Sequence, residues 1–154
     1  MEYLAIKWVH VVSSTILFGT GIGIAYFKWY ADRMNDPRAC ASVLEIVVKA
    51  DMWFTAPSVV VQLATGLWMI RMAGWSVHDA WILDALILYA FVGACWLPVL
   101  WLQYRMLSLA REAVAENAPL TARYHRYRRW WIALGIPAFA ALLTVFYLMI
   151  FKPQ

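Results

Sequence analysis

His10 lies in the run Ile6-Lys7-Trp8-Val9-His10, about two turns into the first of four long apolar stretches. An ionisable ring inside a bilayer is costly to keep, so such a residue marks a functional site by default. As a neutral imidazole it can coordinate haem iron or copper through one ring nitrogen while the other donates to a hydroxyl or carbonyl. Ser14, one turn on, shares its helix face and can orient the ring. As a structural residue, His10 would instead bond across helices, to Gln62 for example, and spacing alone leaves both readings open. The other strongly polar residues of the spans are Ser13 and Thr15 on the first, Gln62 and Thr65 on the second and Asp84 on the third. At ~1.5 Å rise per residue, His10 and Asp84 lie about 9 Å and 6 Å from the same end of the bundle. Asp84 reads as wetted or as paired with Arg71 or Lys7; His78, beside Asp79, and His125 read as solvated.

No second histidine falls within a span, so a haem here would take Met69, Met72, water, an open position or a second protomer as its other axial group. A di-haem cytochrome with four buried histidines is excluded, because the chain has three histidines in all.

These side chains need a bilayer-spanning frame, and the composition supplies one. The chain is 64% hydrophobic and 14% charged, with mean hydropathy +0.64, against roughly half apolar and a quarter charged in soluble domains. A span takes about 20 mainly apolar residues. Four are predicted, at 4–27, 53–70, 80–102 and 130–151, giving an all-α, four-helix transmembrane bundle as a single domain over 1–154. The N-terminal apolar run is too long for a secretory signal, and Glu2 interrupts a basic leader, so it is read as the first span.

Ten of the 13 Lys and Arg residues fall in the connections between spans 1 and 2 and spans 3 and 4; only Lys7, Arg71 and Lys152 lie at the other end. The positive-inside rule puts the ten in the cytoplasm and both termini in the periplasm of a bacterial inner membrane. The run Arg123-Tyr124-His125-Arg126-Tyr127-Arg128-Arg129 is then a topology anchor facing lipid headgroups, and no nucleic-acid partner is expected. Cys40 and Cys95 lack metal-ligand spacing and read as packing residues.

Asn35-Asp36-Pro37 is a turn signal. After it, Val43, Leu44, Val47, Val48 and Met52 recur at helical spacing among charged residues, which predicts an amphipathic helix lying at the interface and leading into span 2. The 107–120 connection is helix-prone, with Arg111, Glu112 and Glu116 spaced to pair. Pro57, Pro98 and Pro137 predict kinks in helices 2 to 4. Gly19 and Gly23 have the spacing that admits a neighbouring helix backbone or a flat ring, helix packing being the commoner use.

Three segments resemble the DUF2269 family of bacterial integral membrane proteins and, more distantly, the HemJ-type protoporphyrinogen oxidases and CopD-like copper proteins. They are Ile6 to His10; Ala56-Pro57 followed by Thr65-Gly66-Leu67-Trp68; and Arg126 to Trp130 with Pro137 and the ending Phe151-Lys152-Pro153. The resemblance implies a four-helix protein that binds haem b, with His10 at the position of the axial histidine. HemJ-type proteins carry a basic residue and a histidine in helix 3, whereas Trp81 to Leu86 and on through Cys95-Trp96 has neither, which separates haem binding from porphyrinogen oxidation. The expected arrangement has His10 on iron, Ser14 orienting the ring, Trp68 and the Gly19 to Gly23 surface lining the pocket, and Arg71 pairing with a propionate. A redox partner and a homodimer accompany that reading. Two rivals stand beside it: a cofactor-free transporter or accessory subunit using His10, Asp84 and Gln62, and, with less support from the methionine distribution, copper handling.

Overall fold

The computed structural model describes residues 1–153, which form helices and turns. Helix α1 covers Glu2–Met34, α2 Pro37–Ala50, α3 Ala56–Ala73, α4 Ala80–Ala115 and α5 Ala122–Phe151. A single π-helical turn, Asp51–Thr55, joins α2 to α3, so Pro37–Ala73 is one continuous 37-residue rod. Four helices are thus long and apolar enough to cross a membrane. At ~1.5 Å per residue each exceeds the ~30 Å hydrocarbon thickness and overruns it at the basic end.

The turn at residues 35–37 forms as its residue types dictate. Asn35 takes the left-handed conformation (φ 53°) that closes α1, the Asp36 carboxylate accepts from the Arg38 amide, and Pro37 starts α2 where its missing donor costs nothing. The helix does not lie flat on the membrane surface, as its amphipathic pattern had suggested. Cys40, Leu44, Val47 and Val48 are buried as α2 packs against α4 and α1. The apolar face that would have met lipid meets α4 instead, because α4 runs on to Ala115 and offers Leu102, Met106, Leu109, Ala110 and Ala113 to it. The same docking carries Arg111 across to Glu45 at 3.0 Å, rather than to its helix neighbours Glu112 and Glu116. Helices α4 and α5 continue through Pro98 and Pro137, while Pro57 falls in the first turn of α3.

The main hydrophobic core therefore sits at the basic end, where Leu44, Val47, Met106, Ala110, Tyr124 and Trp131 meet. Toward the end that bears both termini the packing changes. Helix α1 lies along α3 and α4 along α5, and the two pairs are tied together by Phe18 stacked on Phe139 (5.2 Å) and edge-on to Phe146. A second tie is the Tyr89 hydroxyl, which donates to Val59 O at 2.6 Å. Beyond these ties the pairs enclose a cavity. Large apolar side chains such as Trp8, Ile22, Val60 and Ile87 point outward, as a lipid-facing surface requires.

Candidate functional site

The cavity between the helix pairs has a volume of about 550 Å³, within the usual range for ligand sites. Its walls are almost wholly apolar, with His10, Ser14, Gln62 and Tyr89 as polar interruptions and Lys7, Trp75, Trp81 and Lys152 toward the termini end. Lys152 stands over the Trp75 ring at 4.4 Å and the Trp81 ring at 5.4 Å, which holds a cation beside the cavity.

His10 is in the cavity wall, and α3 fixes its ring from both sides. Thr65 Oγ1 donates to Val61 O at 2.6 Å, so its lone pairs are free to accept from His10 Nδ1 at 2.8 Å. That places the proton on Nδ1. The other nitrogen, Nε2, then carries a lone pair, which accepts from Gln62 Nε2 at 2.9 Å. Gln62 Oε1 in turn accepts from the Ser13 hydroxyl at 2.5 Å, and Ser13 also lies 3.0 Å from His10 O. The ring approaches α3 this closely because residue 66 is glycine: a Cβ there would stand 3.3 Å from His10 Cε1 and 3.9 Å from Nδ1. Gly66, not the Gly19 to Gly23 pair, makes the close approach on this bundle; added Cβ atoms at Gly19 and Gly21 would meet nothing within 4 Å.

Residues 4–153 match the family described as a predicted integral membrane protein, DUF2269. The chain belongs to this family. No curated protein and no solved structure matches it.

In this DUF2269 protein the side chains singled out from sequence separate into two groups. His10, Ser14, Gln62 and Met69 line the cavity, although the Ser14 hydroxyl donates to Val11 O at 2.8 Å and leaves orientation of His10 to Thr65 and Gln62. Trp68 and Arg71 are exposed and outside the lining, because the α3 face that meets the cavity carries Gln62, Gly66, Met69 and Ile70; the exposed Gly19 and the half-buried Gly23 of α1 are outside it as well. Lys7 and Lys152 supply the cations at the cavity that had been sought in Arg71. Asp84 is exposed, and none of the three ion pairs among the described residues includes it or Lys7 or Arg71. His78 is exposed in the turn before α4. Among the described residues no group of three or more His, Cys, Asp or Glu side chains could hold a metal ion.

Two buried polar clusters were not read from the sequence. Near the basic end, Lys28 Nζ lies 2.6 Å from Asp32 Oδ2, and the Tyr124 hydroxyl donates to Asp32 Oδ1 at 2.6 Å. The Cys40 thiol points at Ala31 O (3.4 Å), and Lys28 Nζ also lies 5.1 Å from the Trp131 ring centre. Lys28 had been counted with the cytoplasmic charges; its i,i+4 spacing to Asp32 was the available signal. The second cluster surrounds Asp51, which is 3% exposed although the sequence places it among the solvated residues of an amphipathic stretch.

Proposed function

We propose that this DUF2269 protein is a multi-pass protein of the bacterial inner membrane, with its termini in the periplasm, that holds an amphipathic, ring-bearing ligand between its two helix pairs. Haem b is the specific ligand we assign. The observation that carries this reading is the apolar cavity of about 550 Å³ whose wall contains the single histidine placed inside a span.

The residues fit such a group at the cost of one hydrogen bond. Thr65 keeps the Nδ1 proton, the outer bond that metal-bound imidazoles usually make, and directs the ligand lone pair to Nε2. Gln62 must turn its amide away from Nε2, and Ser13 can retain it at the Oε1 side. Met69 and Met149 are side chains in the lining that could also hold iron, and Lys7 and Lys152 supply positive charge for carboxylates. When bound, haem would supply one-electron redox chemistry, and the chain would tune it through burial and axial ligation.

The test is an absorption spectrum of detergent-purified protein from haem-sufficient cells, oxidised and reduced. A Soret band that is lost in His10→Ala, with the variant still monodisperse, is the expected result. A second reading is favoured by one feature: both nitrogens of His10 are satisfied by α3 without any ligand. On that reading His10 is a helix-pairing residue of a cofactor-free transporter or accessory subunit. Colourless wild-type protein, together with a His10→Ala variant that is destabilised and equally colourless, would select it over haem binding.

A further inference from the structure

Asp51, Thr55, Ser58, Gln62 and Thr65 recur at spacings of four, three, four and three, so they share one face of the α2–α3 rod. That face is turned inward: Asp51 is 3% exposed, Thr55 6% and Ser58 6%. At its upper end Gln62 and Thr65 hold His10. Ser58 shares a crevice of about 280 Å³ with Ser13, which is bonded to Gln62. From Asp51 to Thr65 the stripe rises ~21 Å at 1.5 Å per residue, about two-thirds of a hydrocarbon core. Ser, Thr and Gln commonly bond across membrane helices, but a buried carboxyl at the foot of such a stripe is costly to keep and marks a functional site.

The lower end is irregular in both backbone and bonding. Asp51 opens the π-helical turn Asp51–Thr55, a distortion that recurs at functional sites. Its carboxyl group faces Thr55 on its own turn and Trp96 and Gln103 on α4. Thr55 Oγ1, Trp96 Nε1 and Gln103 Oε1 are all buried without a hydrogen-bond partner, and Gln103 is 1% exposed. Among the described residues no charged side chain pairs with Asp51. On α1, Lys28 and Asp32 are committed to each other; on α2, Lys49 pairs with Glu45; on α4, Arg111 pairs with Glu45 and Arg105 is exposed.

The lack of a facing cation among the described residues, and not hydrogen-bonding capacity, decides which form of the carboxyl this pocket suits. The Trp96 N–H, the Thr55 O–H and the Gln103 amide could each donate to an ionised carboxylate, but that form would leave an unpaired charge in a site that is 3% exposed. A neutral carboxyl carries one O–H, for which Gln103 Oε1 is an acceptor, and its remaining lone pairs can take the Trp96 N–H and the Thr55 O–H. We propose that Asp51 is a proton-binding site, occupied at neutral pH, at the foot of a polar stripe that exchanges protons with the His10 cavity through Ser58. This site does not depend on what fills the cavity.

Infrared spectroscopy of the protein in dodecyl maltoside micelles, which carry no ester carbonyl to mask the band, tests it directly, with or without a pigment. At pH 7 solvated Asp and Glu side chains are ionised, since their ordinary values lie near 4. A protonated-carboxyl C=O band at pH 7 that disappears in Asp51→Asn and persists in Asp84→Asn is the expected result. Transfer into D2O should shift the band, and Ser58→Ala should slow that shift several-fold while leaving the band itself. Absence of the band from wild-type protein at pH 7, or its survival in Asp51→Asn, overturns the site. Exchange that is equally fast in Ser58→Ala overturns the stripe as its route.

Discussion

Replacing Asp32 by alanine tests the bundle where its closure is concentrated. The carboxylate is 5% exposed and binds the 1%-exposed Lys28 ammonium at 2.6 Å and the Tyr124 hydroxyl at 2.6 Å. In Asp32→Ala both donors lose their acceptor in a region too dry to replace it. Breaking a buried pair from one side costs about 3–5 kcal/mol, because it leaves an uncompensated charge. The Tyr124 and Trp131 rings, 5.5 and 5.1 Å from Lys28 Nζ, attract the ammonium in both proteins and so leave the difference unchanged. A net loss of about 3–5 kcal/mol follows. Lys28→Met should cost less, since Asp32 keeps Tyr124 and the nearby Cys40 thiol. The double variant Lys28→Met/Asp32→Leu removes both charges and should cost less than Asp32→Ala alone, because apolar replacements of buried pairs are often neutral. Unfolding by sodium dodecyl sulfate in mixed micelles, followed by tryptophan fluorescence, measures all three. An Asp32→Ala cost below about 1 kcal/mol, or a double variant whose loss equals the sum of the single losses, would refute the reasoning.

Two further outcomes concern the remaining parts of the molecule. Gly66→Ala places a methyl 3.3 Å from His10 Cε1, and the ring cannot retreat without giving up Thr65 or Gln62. A loss of about 1–3 kcal/mol in the same unfolding assay is expected from overpacking, accompanied by weaker haem retention, whereas a neutral effect on both would show that the ring is not held against α3. Cys40 and Cys95 are 1% and 7% exposed, so a maleimide should modify neither in native detergent micelles and both after denaturation. Rapid labelling of either thiol in the native protein contradicts the packing described for α2 or α4.

The membrane class, the four spans and the turn at 35–37 were all legible in the chain, because each depends on local properties. An apolar run long enough to cross the bilayer has few other folded outcomes, and Asn35-Asp36-Pro37 caps one helix and starts the next with its own atoms. His10 was legible as well, since an imidazole is conspicuous among apolar neighbours. Its partners were only half legible: Gln62 was an available acceptor or donor by depth, but Thr65 and Gly66 became contacts once α3 was laid alongside α1.

What the tertiary structure decided is which polar residues are inside. Lys28, Asp32 and Asp51 lie in segments whose charge pattern reads as solvated, yet all three are at most 5% exposed. Asp51 is buried where α2 docks on α4, and Lys28 and Asp32 where α1 meets Tyr124 and Trp131 of α5 and Cys40 of α2, contacts between distant residues that no local periodicity encodes. The cavity has the same origin. It exists because α1–α3 and α4–α5 pack within their own pairs at the termini end while α2 fills the space between helices at the other. Local sequence determines where a helix runs and how apolar its faces are. Which faces meet, and therefore which histidine or carboxyl ends up in a dry pocket rather than in water or lipid, is a property of the assembled bundle.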